Sequence, residues 1–541
     1  MKNTEQVLFL LSCCFLFHLL SCLKPSTAYA YTPIYNFTID CGATGPQTGP
    51  DGRYWTGDDS KYAPIEQPIN GQKSISAKAS VQGSYGGKVP YYTARVSTSP
   101  FSYSFPVTCG QIFIRLHFYP ADYFKFNRSS SFFKVTAGVF TLLSNFSASL
   151  IADHLNLEVF FKEFCLNIDQ EAEKLNITFI PSPNTYAFVN GIEVVSMPSN
   201  LYYTSENIKY IGFSNIYRLP ENSALETMYR LNVGGGVISA ERDNGMFRSW
   251  DKDDSFVFGQ MGVVPVNLTI QLHYSKIPNY TAPNEVYITA RSMGMNATEN
   301  RMYNLTWALE VDSGFTYLVR LHFCEFQKEI QVVNDREFKI YIANQTAEEY
   351  ADVIVWSDGD GIPVYRDYAV MIIDDGNAKT KTNLLIALHP GANKRTRYAD
   401  AILNGLELFK ISDYDNNLAG PNPNPMFSLP NQEPPNQKHP NDGTGIGIII
   451  GGILAGVIII TLLGFLVFWR RMRRVKDAAS SDTASFLGLF SFSTTKSTKT
   501  KASDSYLPSD LCRYFSLGEI RSATSSFDVD FVAGDQRIIG T

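Results

Sequence analysis

The stretch IRLHFYP at residues 114–120 returns as VRLHFCE at 319–325, an offset of 205 residues. In 114–118 and 319–323, apolar residues alternate with Arg and His. That is the two-residue period of a β-strand. Four other pairs keep the same chain order. IDCG at 39–42 answers LNVG at 231–234, and Trp55 with Asp58-Asp59 answers Trp250 with Asp253-Asp254. YYTAR at 91–95 answers YITAR at 287–291, and VNGIEV at 189–194 answers LNGLEL at 403–408. In order the offsets are 192, 195, 196, 205 and 214, growing as small insertions in a second copy would make them. Two copies of about 190 residues are two domains; a solenoid needs shorter and more numerous units.

Each copy reads as β-structure. Residues 338–342, FKIYI, alternate like the paired strands, and Pro, Gly, Asn and Ser punctuate the strands. Many short strands with such turns imply a sandwich or jelly roll, so the outer region is expected to be all-β. The repeated Asn-Gly at 190–191 and 404–405 suits a tight hairpin turn with positive φ. The repeated Asp pairs invite comparison with glycosidase carboxylates, but one-residue spacing points successive strand side chains apart, and recurrence beside Trp suits a structural turn.

Outside the repeat, the chain carries the signals of a single-pass membrane protein. Residues 1–30 read as a secretory signal: Lys2, an apolar run at 7–20 and Ala28-Tyr29-Ala30 as the cleavage site. Residues 446–469, IGIIIGGILAGVIIITLLGFLVFW, hold no charge. As a helix they cover roughly 36 Å, enough for a ~30 Å hydrocarbon core. Arg470, Arg471, Arg473, Arg474 and Lys476 follow and orient the C-terminus toward the cytosol. Nine N-x-S/T sequons begin at Asn36, Asn127, Asn145, Asn176, Asn267, Asn279, Asn296, Asn304 and Asn344, all on the outer side. Cys41, Cys109, Cys165 and Cys324 share that oxidising side and allow two disulfides with three pairings open; a free Cys324 stays open too. The net charge of −6 does not suggest nucleic acid, and no metal or cofactor motif stands out.

The expected organisation is signal 1–30, first copy 31–220, second copy 221–412, Pro/Asn-rich stalk 413–445, transmembrane helix 446–469, basic Ser/Thr-rich segment 470–510 and a final segment 511–541. The stalk's seven prolines favour an extended spacer, and the inner tail is expected to be mostly disordered.

With the paired RLHF and NG motifs and the inner CRYFSLGEIRSATSSFD, the chain resembles tandem malectin-like receptor-like kinases of the Catharanthus-type, or FERONIA class. In that family a similar inner segment leads into a kinase. Here FVAGDQRIIGT follows, without the glycine-rich loop, the H-R-D loop or the D-F-G segment, so the chain as given is expected to lack catalytic residues. The alternative is the N-terminal fragment of an active Ser/Thr receptor kinase. The resemblance implies a plasma-membrane location and, as partners, cell-wall glycan or a secreted basic peptide, with a GPI-anchored co-receptor and full-length receptor kinases. By position it matches malectin's sugar-binding residues to Tyr91 and Tyr287 in the Y-x-T-x-R setting, and to Tyr123-Phe124. It assigns any glycan site to the first copy.

Overall fold

The computed structural model describes residues 30–424, apart from 60, 82, 86, 87, 170, 205, 206, 375–378, 393 and 394. The expected signal, most of the stalk, the transmembrane helix and the inner tail lie outside the described residues. Among those described, no helix is long and apolar enough to cross a membrane. All described residues belong to one compact unit, Met1–Asn431.

The two copies share a single 13-stranded sheet. Its central strands are β1 (Asn36–Asp40), β2 (Gly110–Phe118), β3 (Phe160–Ile168) and β4 (Gly191–Ser196) in the first copy. The second copy supplies β5 (Leu225–Asn232), β6 (Phe315–Phe323), β7 (Val364–Ile372) and β8 (Gly405–Ile411). The spatial order β7-β6-β8-β5-β3-β2-β4-β1 is the same four-strand unit twice. The RLHF motifs form the ends of β2 and β6, and the alternating apolar residues Ile112, Ile114, Leu116 and Phe118 enter the first core. Opposite them, Phe101–Pro106, Phe133–Ala137, Phe140–Phe146 and Lys174–Pro181 belong to a five-stranded sheet. Aromatic packing fills the space between, with Phe101 and Phe179 stacked at 5.0 Å. In the second copy, Tyr317, Val319, Leu321 and Phe323 pack against Leu305–Asp312, Phe338–Ile342 and Lys381–Pro390 in the same way.

A sheet edge left bare would invite foreign strands. The outer edge of β3 is taken by β5, which joins the copies. The matching edge of β7 is taken by Ile208–Ile211, from the link between the copies. After β8 the chain returns to the first copy: Leu418 is fully buried in its core, and Asn422 accepts from the Ser147 amide and donates to the Asn145 carbonyl.

Two expectations are corrected. Neither Asn-Gly turns with positive φ. Asn190 and Asn404 are buried and bridge backbones instead: Asn190 Oδ1 accepts from Tyr119 N and its amide donates to Thr93 O, as Asn404 does with Cys324 N and Thr289 O. The glycines are required by close approach, since a Cβ on Gly191 would lie 2.6 Å from Pro90 and one on Gly405 2.6 Å from Val286. The second correction concerns the cysteines. Cys41, Cys109, Cys165 and Cys324 are all free thiols. Cys41, Cys165 and Cys324 sit in three different hydrophobic clusters and Cys109 is exposed, so the fold does not bring them together.

Candidate functional site

Both copies contain the same buried relay. Strand alternation puts Arg115 and His117 of β2 on one face, and β4 sets Glu193 opposite Arg115. His117 Nε2 lies 2.8 Å from Glu193, and its Nδ1 lies 2.9 Å from the Tyr91 hydroxyl. Trp55 meets the imidazole edge-on at 5.4 Å. In the second copy His322 lies 3.1 Å from Glu407 and 2.9 Å from the Tyr287 hydroxyl, with Trp250 edge-on at 5.5 Å. Burial would raise the Glu193 carboxyl, but Arg53, Arg115 and His117 hold it well below the usual carboxylate range. Burial pushes His322 down despite Glu407, and pushes the Tyr91 and Tyr287 hydroxyls up. Each ring nitrogen and hydroxyl is thus committed to an internal partner, as buried polar groups require. His117, Glu193, His322 and Glu407 all fall within repeated motifs, and their recurrence with the repeated Tyr is the sequence signal for the relay.

Between the copies lies a cleft of about 690 Å³. It opens because β3 and β5 pair only at Phe164–Glu226 and Cys165–Leu225 and then diverge. Residues 160–163 and 227–230 form its floor, and Tyr85, Tyr91 and Phe256 stand among its walls. Beneath it a chain of buried ions ties the copies together. Glu163 bonds Arg115 at 2.6 Å and Arg230 at 2.8 Å, and Arg230 bonds Glu407 at 2.8 Å. Burial would raise Glu163, yet Arg230 and Arg115 hold it down at about 2. His154 and Glu310, one from each copy, meet at 3.1 Å on the cleft wall.

The residues matched by resemblance scatter. Tyr91 is half-buried on the cleft wall. Tyr287 and Tyr123 are fully buried, and Tyr123 donates to the Tyr119 carbonyl and accepts from Asn190. Neither ring offers a face to solvent. Phe124 is 81 % exposed, in the left-handed region at φ 54°. Of the sequon asparagines, Asn36, Asn127, Asn145, Asn176, Asn296, Asn304 and Asn344 are exposed, and Asn267 and Asn279 are half-buried. Asp58 and Asp253 are buried and bound by Arg95 and Arg291, the structural turn expected of the Asp pairs.

The second copy also carries several exposed apolar side chains. Phe258, Met261, Val263, Val264, Val266, Leu268, Met295 and Met302 all project into solvent. Bridges Val263–Ser292 and Val266–Thr289 hold the segment 263–266 alongside 289–292. The first copy has no equivalent of some of these side chains. The offset rises from 196 at YITAR to 205 at VRLHF, so nine residues are inserted in the interval that contains Met295 and Met302.

Comparison with known proteins places these features. The malectin-like domain family matches residues 39–411. Receptor-like protein kinase FERONIA of Arabidopsis thaliana is 40% identical over 99% of this chain and 61% of its own length. ANXUR2 of the same plant is 37% identical over 92% of this chain and 58% of its own. The chain therefore spans about three-fifths of the length of these curated relatives. Among solved structures, the plant receptor-like kinase FER is similar at 43% identity and TM-score 0.65, over 72% of this chain and 99% of that one. A crystal structure of the plant peptide RALF23 in complex with FER and LLG2 is similar at 42% identity and TM-score 0.65, over 73% of this chain and 99% of that one.

Proposed function

The chain belongs to the malectin-like family, alongside plant receptor-like kinases of the FERONIA class, and on that premise we propose that residues 31–424 are the ligand-binding outer part of a plasma-membrane receptor. Its ligand is a secreted peptide of the RALF23 kind, held together with a co-receptor of the LLG2 kind. The observation that carries this reading is its similarity to nearly the whole FER chain crystallised with those two partners. The exposed apolar side chains of the second copy supply the docking surface. Exposed apolar groups, where they gather into a patch, mark protein-interaction sites, and Leu268, Met295 and Met302 are each at least 80 % exposed. Titrating synthetic peptide onto the full chain, with and without co-receptor, is expected to give saturable binding that the co-receptor strengthens. Absence of binding in both arms removes the reading.

A second reading, cell-wall glycan in the inter-copy cleft, is favoured by the aromatic walls. Sugar rings stack on such faces while polar groups take the hydroxyls, and Tyr85, Tyr91 and Lys162 line the cleft. Retention on immobilised wall oligosaccharide is expected to fall on Tyr91→Ala; unchanged retention removes this reading. The signal itself would pass to a kinase of the relatives' class. Reading the transcript past the codon for Thr541 tells whether that kinase is on the same chain.

A further inference from the structure

Asp40 and Asn232 occupy one position in the two copies. Asp40 ends β1 opposite Gly191, and Asn232 ends β5 opposite Gly405. The surroundings match. Gly42 N donates to Asp58 at 2.9 Å as Gly234 N does to Asp253 at 2.9 Å. Arg95 grips Asp58 through two nitrogens, and Arg291 grips Asp253 likewise. The second oxygen of the turn aspartate takes the Tyr103 hydroxyl in one copy and the Trp307 indole N–H in the other.

The two side chains themselves differ. Asn232 accepts from the Thr289 hydroxyl at 3.0 Å and donates to the Gly236 carbonyl at 2.8 Å, so both ends of its amide are used. Asp40 accepts from the Thr93 hydroxyl at 3.3 Å, while its Oδ2 is buried with no hydrogen-bond partner. An ionised carboxylate buried this way lacks the donors that would compensate for lost water. The charged group felt at Asp40 is Asp58; Cys41, next in the chain, also interacts with Asp40 and in turn meets Asp58, Arg95 and Tyr103. Arg95, the cation of that set, is already spent on Asp58. The site is shaped for a neutral group, and the second copy supplies one.

We propose that Asp40 is a single-proton switch confined to the first copy: protonated it fills the site as an amide would, and ionised it loosens the turn from Asp40 to Asp58. That turn bears Pro50, a wall of the inter-copy cleft, and Trp55, which packs on the same His117 that holds Tyr91. Cleft shape is therefore tied to the proton. Burial pushes the Asp40 carboxyl up to about 7, with Asp58 adding to the rise and the Thr93 bond opposing it. The folded chain thus holds this proton more tightly than the unfolded one. Its stabilising effect is full below about pH 4 and is lost as pH rises through about 7.

The experiment is thermal unfolding of the full chain and of Asp40→Asn and Asn232→Asp, at about pH 5 and about pH 8. Wild type is expected to lose midpoint temperature between the two. Asp40→Asn should lose less, matching wild type at the lower pH and exceeding it at the higher, while Asn232→Asp should lose more. Hydrogen exchange of the peptide spanning 41–57, corrected for intrinsic rates, should quicken at the higher pH in wild type and stay level in Asp40→Asn. If Asp40→Asn moves the midpoint equally at both pH values, or leaves the exchange difference intact, the proposal is overturned.

Discussion

Tyr91 and Tyr287 make the same bond to the same histidine, yet one stands on a cleft wall and the other is sealed. Tyr287 lies on a short helix, Asn284–Ile288, packed with Trp250, Val286 and Cys324. Tyr91 leads into the strand Thr93–Ser97 and faces the gap where β3 and β5 part. The copies also differ elsewhere. On the surface the second copy carries a nine-residue insertion and several exposed apolar side chains; in the interior the first carries Asp40 where its partner has Asn232. A duplicated fold conserves its interior relay because every member is bonded to another. Divergence is cheap at the surface and at positions such as Asp40, where a one-atom change leaves the shape intact.

The comparison breaks most visibly if the shared ion chain is cut. Arg230→Ala leaves Glu163 and Glu407 buried without that cation, a loss of about 3–5 kcal/mol. Chemical denaturation of the variant should show it. The effect has a pH sign. Glu163 titrates at about 2 in the folded chain, below its unfolded value, so its contribution is full at neutral pH and fades as pH falls toward about 2. The destabilisation should therefore shrink in acid. A smaller effect separates the two tyrosines. Tyr287→Phe strips a fully buried partner from His322 and should cost about 1–3 kcal/mol. Tyr91→Phe, beside solvent, should cost below about 1 kcal/mol. Equal losses would mean the two relays are equally enclosed. The Asp40→Asn and Asn232→Asp pair sharpens the contrast further, being visible only when pH is varied.

Much of the framework was legible before the structure. Period-two alternation in 114–118 and 319–323 identified β2 and β6, though both faces proved buried, the Arg and His face through its ion pairs and hydrogen bonds. The ordered repeat identified two like units. What stayed hidden was how they join: the pairing of Phe164 with Glu226 joins segments that share no motif, so no local pattern marks it. The Asn-Gly turns were misread because the dipeptide's common use, positive φ, competes with a rarer one, a backbone bridge beside a glycine chosen for close packing. Tyr123 illustrates the limit for sites: residue type and position match a sugar-binding ring, but burial depends on Phe188 and Asn190 folding over it from far along the chain.

The central claim is that the second copy, through its exposed apolar side chains, is the one that docks peptide and co-receptor. The most direct measurement is affinity of the full chain for peptide in the presence of co-receptor, comparing Val264→Asp and Met302→Asp with the first-copy controls Val81→Asp and Phe124→Asp. These four side chains are all exposed, so each change should leave the fold intact. A charge placed within a docking surface should weaken binding about tenfold or more, while the controls bind as wild type. Unchanged binding in the second-copy variants, or loss in the controls alone, would contradict the account.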